Sequence, residues 1–186
     1  MGLLTEHIKN IRTNIISPYV SGNVLDMGCG YGEIYTKYKD KIENYYGVDY
    51  DVQIISGLKN KFPNANFFVK NLDSDSLEFD VKFDSILMIA LVEHIYNQKH
   101  LFCEAIKNLK PQGKIIITTP TVLGNDFIHK FGSSIGLFCQ TAADDHIVIY
   151  NKKRFQILAK DLNLRICQYR KFELGCNQLV VLEQQA

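Results

Sequence analysis

The stretch Val24-Leu25-Asp26-Met27-Gly28-Cys29-Gly30-Tyr31-Gly32-Glu33 carries the residues best suited to hold a ligand, because an apolar run ends near an acid and passes into three alternating glycines. Such a run reads as a strand, a tight turn and the start of a helix. Glycine reaches positive φ and lets a ligand approach the backbone where a Cβ would collide, while amides at a helix N-terminus favour electron-rich groups. The dinucleotide fingerprint wants glycine where this chain has Glu33, and Gly32 comes one residue too early, so the turn leans away from a pyrophosphate. The carboxylate of Asp26 would repel phosphates and suits the ammonium end of an amino-acid-bearing cofactor. Ligands of open α/β sheets collect at the carboxyl ends of strands, which adds Asp49, Asn71, Glu93 and Thr119 as residues at the ends of apolar runs. Two histidines stand in acidic contexts, His94 after Glu93 and His146 in Asp144-Asp145-His146. An imidazole of near-neutral pKa can take a proton from a hydroxyl as its oxygen attacks. The structural alternatives are a cap or carbonyl contact for His94 and a lid-pinning hydrogen bond for His146. His7, His100 and His129 lack comparable context, and His100 is expected on a solvated helix face.

Along the chain these segments resemble the class I S-adenosylmethionine-dependent methyltransferases, whose first motif is an acidic residue followed by G-x-G-x-G. Tyr45-Tyr46-Gly47-Val48-Asp49 resembles the second strand, ending in an acid about twenty residues past the glycines. Phe67 to Asp73 resembles the third strand with its adenine-binding turn, Phe83 to Ile95 the fourth with its Glu-His ending, and Gly113 to Pro120 the fifth. The resemblance implies S-adenosylmethionine as cofactor. Asp26 would then meet its amino-acid moiety, Gly28, Cys29 and Gly30 would form the turn around it, and Asp49 would accept the ribose hydroxyls beside Tyr50. Asn71, Leu72 and Asp73 would hold the adenine, and Ala90 completes the set. Asn71 departs from the family's usual Asp, which leaves an amide oxygen able to accept from the adenine amino group but removes the charge.

Methyl transfer is an in-line displacement on a sulfonium, and holding nucleophile and methyl in line is worth up to roughly 7–11 kcal/mol in well-oriented models. The resemblance therefore makes His94 and His146 catalytic candidates, one as base or orienting group for a hydroxyl, with Glu93 holding the constellation. The favoured function is transfer to a hydroxyl oxygen of a small molecule, as in quinone-methyltransferase-like relatives. Glu93-His94 with His146 some fifty residues later also resembles the metal-ligating pattern of RNA 3′-terminal 2′-O-methyltransferases, in which a Glu oxygen and two imidazoles hold a divalent ion. That family has another Glu three residues before the pair, where this chain has Ala90, so an anionic ligand is lost and no resident metal is expected. A third reading is a non-catalytic cofactor-binding or partner-regulating subunit, suggested by the missing Asp at 71 and opposed by the intact glycines with Asp49.

The elements that must position these residues alternate in the manner of a parallel sheet. Leu4, Ile8, Ile11, Ile15 and Ile16 recur at helical spacing before Pro18 and predict an amphipathic helix against the cofactor end. Further helices are expected over Glu33 to Tyr38, Asp51 to Phe62 and Asn97 to Leu109, the last closed by Lys110-Pro111-Gln112-Gly113. Residues 121–146 are long and apolar enough for a substrate flap, and Gly124, Gly132, Ser133, Ser134 and Gly136 favour its mobility. Asn151 is a plausible N-cap for a helix to Asp161, followed by the apolar runs Leu164 to Tyr169 and Gln178 to Leu182. The expected fold is α/β, one Rossmann-like methyltransferase domain over 1–186, with a mostly parallel seven-stranded sheet, an antiparallel last strand and helices on both faces.

With 21 basic and 20 acidic residues the net charge is +1, too small a global field to gather nucleic acid or an acidic membrane, though a local patch is compatible with it. Five cysteines without a Cys-x-x-Cys pair argue for reduced thiols and against a zinc or disulfide framework. Neither a signal peptide nor a spanning apolar run is visible, so a cytoplasmic protein with a small-molecule substrate is expected.

Overall fold

The computed structural model describes residues 10–127 and 146–185. Seven strands form one sheet: β1 Gly22–Met27, β2 Ile42–Asp49, β3 Asn66–Val69, β4 Phe83–Ile89, β5 Leu109–Pro120, β6 Leu164–Phe172 and β7 Asn177–Gln184. Their order is β3-β2-β1-β4-β5-β7-β6, parallel from β3 to β5 and antiparallel where β7 meets β5 and β6. The Rossmann-like sheet and the reversed last strand thus match the expectation from sequence.

Helices α1 Glu33–Tyr38, α2 Val52–Lys61, α3 Gln98–Asn108, α4 Val122–Phe127 and α5 Lys152–Asp161 connect the strands. Their starts follow local chemistry. The carboxylate of Asp51 accepts from the amides of Gln53 and Ile54, Asn97 from that of His100, and Asn151 from that of Arg154, so each cap satisfies donors that the first helical turn leaves open. The anticipated N-terminal helix is present as residues 10–15; Leu4 and Ile8 lie outside the described residues.

Because the sheet is covered on both faces, its central strands are buried over most of their length. Val24, Leu25, Met27 and Ile86 to Met88 are fully inaccessible. Leu25, Met27, Ile86 and Met88 pack with Phe102, Phe155 and Leu182 on one face, while Val24, Leu87 and Ile116 pack with Ile16, Ile34 and Leu58 on the other. Burying side chains of this size contributes roughly 1.5–3 kcal/mol each, which fixes strand register and with it the strand ends.

Strand order reverses between β1 and β4, and the two pair in parallel from Val24 with Ser85 to Met27 with Met88. A crevice outside the carboxyl ends of two such strands is where open α/β sheets place ligands. Gly28 and Ala90 both lie at this crevice.

Two local readings require correction. Strand β5 starts at Leu109 rather than Gly113, since Pro111 to Gly113 form an irregularity within the strand, with Gln112 at φ 66° and the β4 register shifting between Phe83 and Ser85. Gly124 is not a source of mobility: it is buried, and a Cβ there would lie 2.0 Å from the carbonyl oxygen of Cys176. The rest of the expected flap, 128–145, lies outside the described residues. No helix among the described residues is long and apolar enough to cross a membrane.

Candidate functional site

The glycine turn after β1 is held to β2 by the amides of Gly28 and Cys29, both donating to the carbonyl of Val48 at 2.9 and 3.0 Å. Gly28 has φ 73° and a Cβ there would meet Leu91 at 2.8 Å, so both backbone and packing exclude a side chain. Gly30 differs. At φ 49° its missing Cβ would meet no described atom nearer than Glu33 at 3.8 Å, and the backbone at 30 borders a cavity that a ligand can enter. Gly32, also left-handed, precedes α1 as its N-cap.

That space is a cavity of about 600 Å³ between residues 10–13, the glycine turn and the end of β4, within the size range of small-molecule sites. It is lined by Asp26, Gly28, Cys29, Gly30 and Ala90, as the sequence suggested, and also by Arg12, which sequence reasoning missed. Asp26 is 2% exposed and accepts from the Tyr45 hydroxyl at 2.6 Å. Burial pushes its carboxyl up to about 7; the Tyr45 hydrogen bond opposes this, and the charges of Glu33 and Asp49 add to it. The Arg12 guanidinium donates through Nη2 to Asn177 at 2.8 Å, while its buried Nε has no hydrogen-bond partner. With Glu33, Lys37 and Lys61 also on its wall, the cavity offers both acidic and basic groups, as the two ends of a zwitterionic amino acid require. The signal available in the sequence was the polar edge of the amphipathic N-terminal segment.

Asp49 ends β2 and braces the turn, its Oδ2 accepting from the Gly30 amide at 3.0 Å and its Oδ1 from that of Asp51 at 3.1 Å. Each oxygen retains a lone pair for a further donor. Tyr50 beside it is 77% exposed. After β3, Asn71 Oδ1 accepts from the Asp73 amide at 3.0 Å, Leu72 packs into the core, and Asp73 Oδ1 accepts from the Asn97 amide at 2.6 Å, tying this turn to the cap of α3. Thr119 is buried in β5 opposite Gln178, within the sheet.

Ala90 leaves β4 at φ 52°, its amide donating to the Thr118 carbonyl at 2.8 Å. A left-handed conformation costs a non-glycine residue about 1–2 kcal/mol. This turn swings the following residues, a 3₁₀ turn over Val92–His94, back over the sheet end. Glu93 is 1% exposed, with Oε2 buried and without a hydrogen-bond partner. Burial raises its pKa, opposed by the charges of Arg12 and His94.

The backbone carbonyl of Glu93 accepts from the amides of Ile147 and Val148 at 2.8 and 3.3 Å, which brings His146 alongside. The His94 and His146 rings lie 5.0 Å apart between centroids. One ligand atom each from Glu93, His94 and His146 can be chosen so that all lie within 4.8 Å of one another. His146 Nδ1 stands 2.8 Å from the side-chain oxygen of Asn125. His100, expected in solvent, is half-buried with Nε2 3.1 Å from the Asp75 carbonyl.

The family described as a methyltransferase domain matches this chain over residues 6–169. A ubiquinone biosynthesis O-methyltransferase of Rickettsia bellii is 30% identical over 133 residues, covering 62% of this chain and 52% of that protein. A probable S-adenosylmethionine-dependent methyltransferase of Mycolicibacterium smegmatis is 26% identical over 98 residues, covering 53% of this chain and 38% of the relative. The chain thus spans about half or less of the length of these curated relatives. Among solved structures, the PH0226 protein of Pyrococcus horikoshii shares the fold, with a TM-score of 0.73 at 23% identity over 97% of this chain and 92% of its own.

Proposed function

We propose that this chain, which belongs to the methyltransferase-domain family, binds S-adenosylmethionine at the carboxyl ends of β1 and β4 and transfers its methyl group to a hydroxyl oxygen of a small molecule. The observation that carries this reading is a cavity in which Asp26 and Arg12 flank a glycine turn open to a ligand at Gly30. Asp26 binds the ammonium and Arg12 the carboxylate of the amino-acid moiety. Asp49 takes the ribose hydroxyls with Tyr50 beside it, Asn71 or Asp73 takes the adenine amino group, and Leu72 supports that turn. When bound, the cofactor supplies an electrophilic methyl group on a sulfonium. His146 accepts the proton that the hydroxyl loses as its oxygen attacks, His94 orients that oxygen, and Glu93 stabilises the charged imidazoles. The O-methyltransferase among the relatives supports oxygen as the acceptor.

A second reading, metal-assisted transfer to a ribose 2′-hydroxyl of RNA, is favoured by one observation: Glu93, His94 and His146 place ligand atoms within 4.8 Å, and one Glu93 oxygen is buried without a partner. Two ligands at about 2.1 Å from one ion stand at most about 4.2 Å apart, so only a small closure is required. A cation there would polarise a hydroxyl. Ala90 in place of a further carboxylate makes this the weaker reading.

The test is transfer of tritium from methyl-labelled cofactor into the low-molecular-mass and RNA fractions of a cell extract, with and without EDTA. Label in the small molecules, insensitive to EDTA, upholds the first reading. Label in RNA, abolished by EDTA and restored by a divalent ion, replaces it with the second.

A further inference from the structure

Residues 151–171 carry seven Lys and Arg against one Asp in a chain of net charge +1, so the remainder of the molecule is net negative and its positive charge is concentrated on α5 and β6. All seven basic residues are exposed. Where α5 begins, a cavity of about 440 Å³ opens between α4 and the β6–β7 hairpin, lined by Lys152, Lys153 and Lys171 and, among the described residues, by no acidic one. None of these lysines forms an ion pair with a described residue. The Lys152 ammonium instead rests 5.5 Å from the centre of the Tyr169 ring.

The floor of this cavity is rigid. Gln178 is fully buried, its amide nitrogen donating to the carbonyls of Pro120 and Tyr150 at 2.9 and 2.8 Å, and its oxygen accepting from the Tyr169 hydroxyl at 3.0 Å. Three cations on a fixed floor retain their mutual repulsion until an anion enters.

The position is also specific. Thr121, on the cavity wall, directly follows the carboxyl end of β5, and a short segment outside regular secondary structure runs from His146 at the catalytic cluster to Tyr150 on the wall. Four residue steps span at most about 14 Å, so one small molecule can reach both places. We propose that this cavity is an anion site holding a phosphate or diphosphate group of the methyl acceptor, whose hydroxyl lies at His94 and His146. This rests on the methyl-transfer reading for the identity of the acceptor, but not for the existence of the anion site. A monocarboxylate would need one ammonium; three ammoniums match a multiply charged group.

Calorimetry at low salt on the chain saturated with S-adenosylhomocysteine, titrated with inorganic pyrophosphate, tests it. The expected result is salt-sensitive binding that weakens at least tenfold in the triple variant Lys152→Glu, Lys153→Glu, Lys171→Glu and partially in Lys171→Gln, with thermal midpoint and S-adenosylhomocysteine affinity unchanged. No binding, or equal binding by wild type and variants, would overturn the proposal. A single-stranded RNA bound at least a hundredfold more tightly than pyrophosphate, and lost in the same variants, would overturn the small-molecule assignment. If wild type takes pyrophosphate at these lysines but never binds S-adenosylhomocysteine, the anion site stands and its assignment to a methyl acceptor is overturned.

Discussion

Replacing Asp26 by Asn keeps the size of the side chain and an acceptor for the Tyr45 hydroxyl while removing the charge that the cofactor's ammonium would meet. In the folded protein burial holds the Asp26 carboxyl near 7, against 3.8 when unperturbed. Between those values the native state keeps a proton that the unfolded chain has lost, so stability falls as pH rises through this window. By about pH 7.5 the loss is about 4 kcal/mol, at 1.36 kcal/mol per pH unit of displacement. Ligand binding runs the other way, since an ammonium favours the ionised carboxylate. If only the ionised form binds, affinity for S-adenosylhomocysteine rises about tenfold from pH 6 to pH 8, and binding at pH 6 releases close to one proton. Asp26→Asn should weaken binding by about 1–3 kcal/mol at pH 8, flatten the pH dependence, and be more stable than wild type at pH 7.5 relative to their difference at pH 4. Calorimetry at pH 6 in two buffers of different ionisation enthalpy counts the protons, and urea unfolding gives the stabilities. Wild-type affinity that is flat across this range, with no proton released, would refute the reasoning.

Four further outcomes are expected. Asp49→Ala should lose about 1–3 kcal/mol of cofactor affinity by calorimetry and also lower the thermal midpoint, because the Gly30 and Asp51 amides lose their acceptor; unchanged affinity would remove Asp49 from the ribose site. Gly30→Val should abolish binding at a cost of about 1–2 kcal/mol of stability for a side chain held at positive φ, without a clash in the core; retained binding would place the cofactor elsewhere. Ala90→Gly should be stability-neutral or stabilising by up to about 1 kcal/mol in chemical unfolding, as relief of a left-handed alanine offsets glycine's chain entropy; a loss of 2 kcal/mol or more would mean the alanine is not strained. His94→Ala and His146→Ala should each slow transfer roughly 10²- to 10⁴-fold with S-adenosylhomocysteine affinity nearly unchanged; full turnover in both would make the histidines structural.

Much of the frame was legible because its signals are local. Asp51, Asn97 and Asn151 sit at helix starts where their side chains satisfy the next amides, and an apolar run with a terminal acid marks β1 and β2 wherever they pack. Misreadings arose where one residue type serves two ends. Pro111-Gln112-Gly113 has turn composition but forms an irregularity inside β5, and Gly124 reads as favouring mobility although it is required by the close approach of Cys176. The site was legible in its parts and not in its assembly. Nothing local shows that Tyr45 donates to Asp26, or that the Glu93 carbonyl captures Ile147 and thereby seats His146 beside His94. Such partners are chosen by strand register and backbone pairing, which depend on the whole sheet.

The most direct measurement is a crystal structure of the chain with S-adenosylhomocysteine bound. The amino-acid moiety is expected between Asp26 and Arg12, the ribose on Asp49, the purine against Leu72 with its amino group at Asn71 or Asp73, and the sulfur turned toward the His94 and His146 rings. A cofactor lodged outside the cavity at Gly30, or one whose sulfur points away from those rings, would contradict the assignment of this site to methyl transfer.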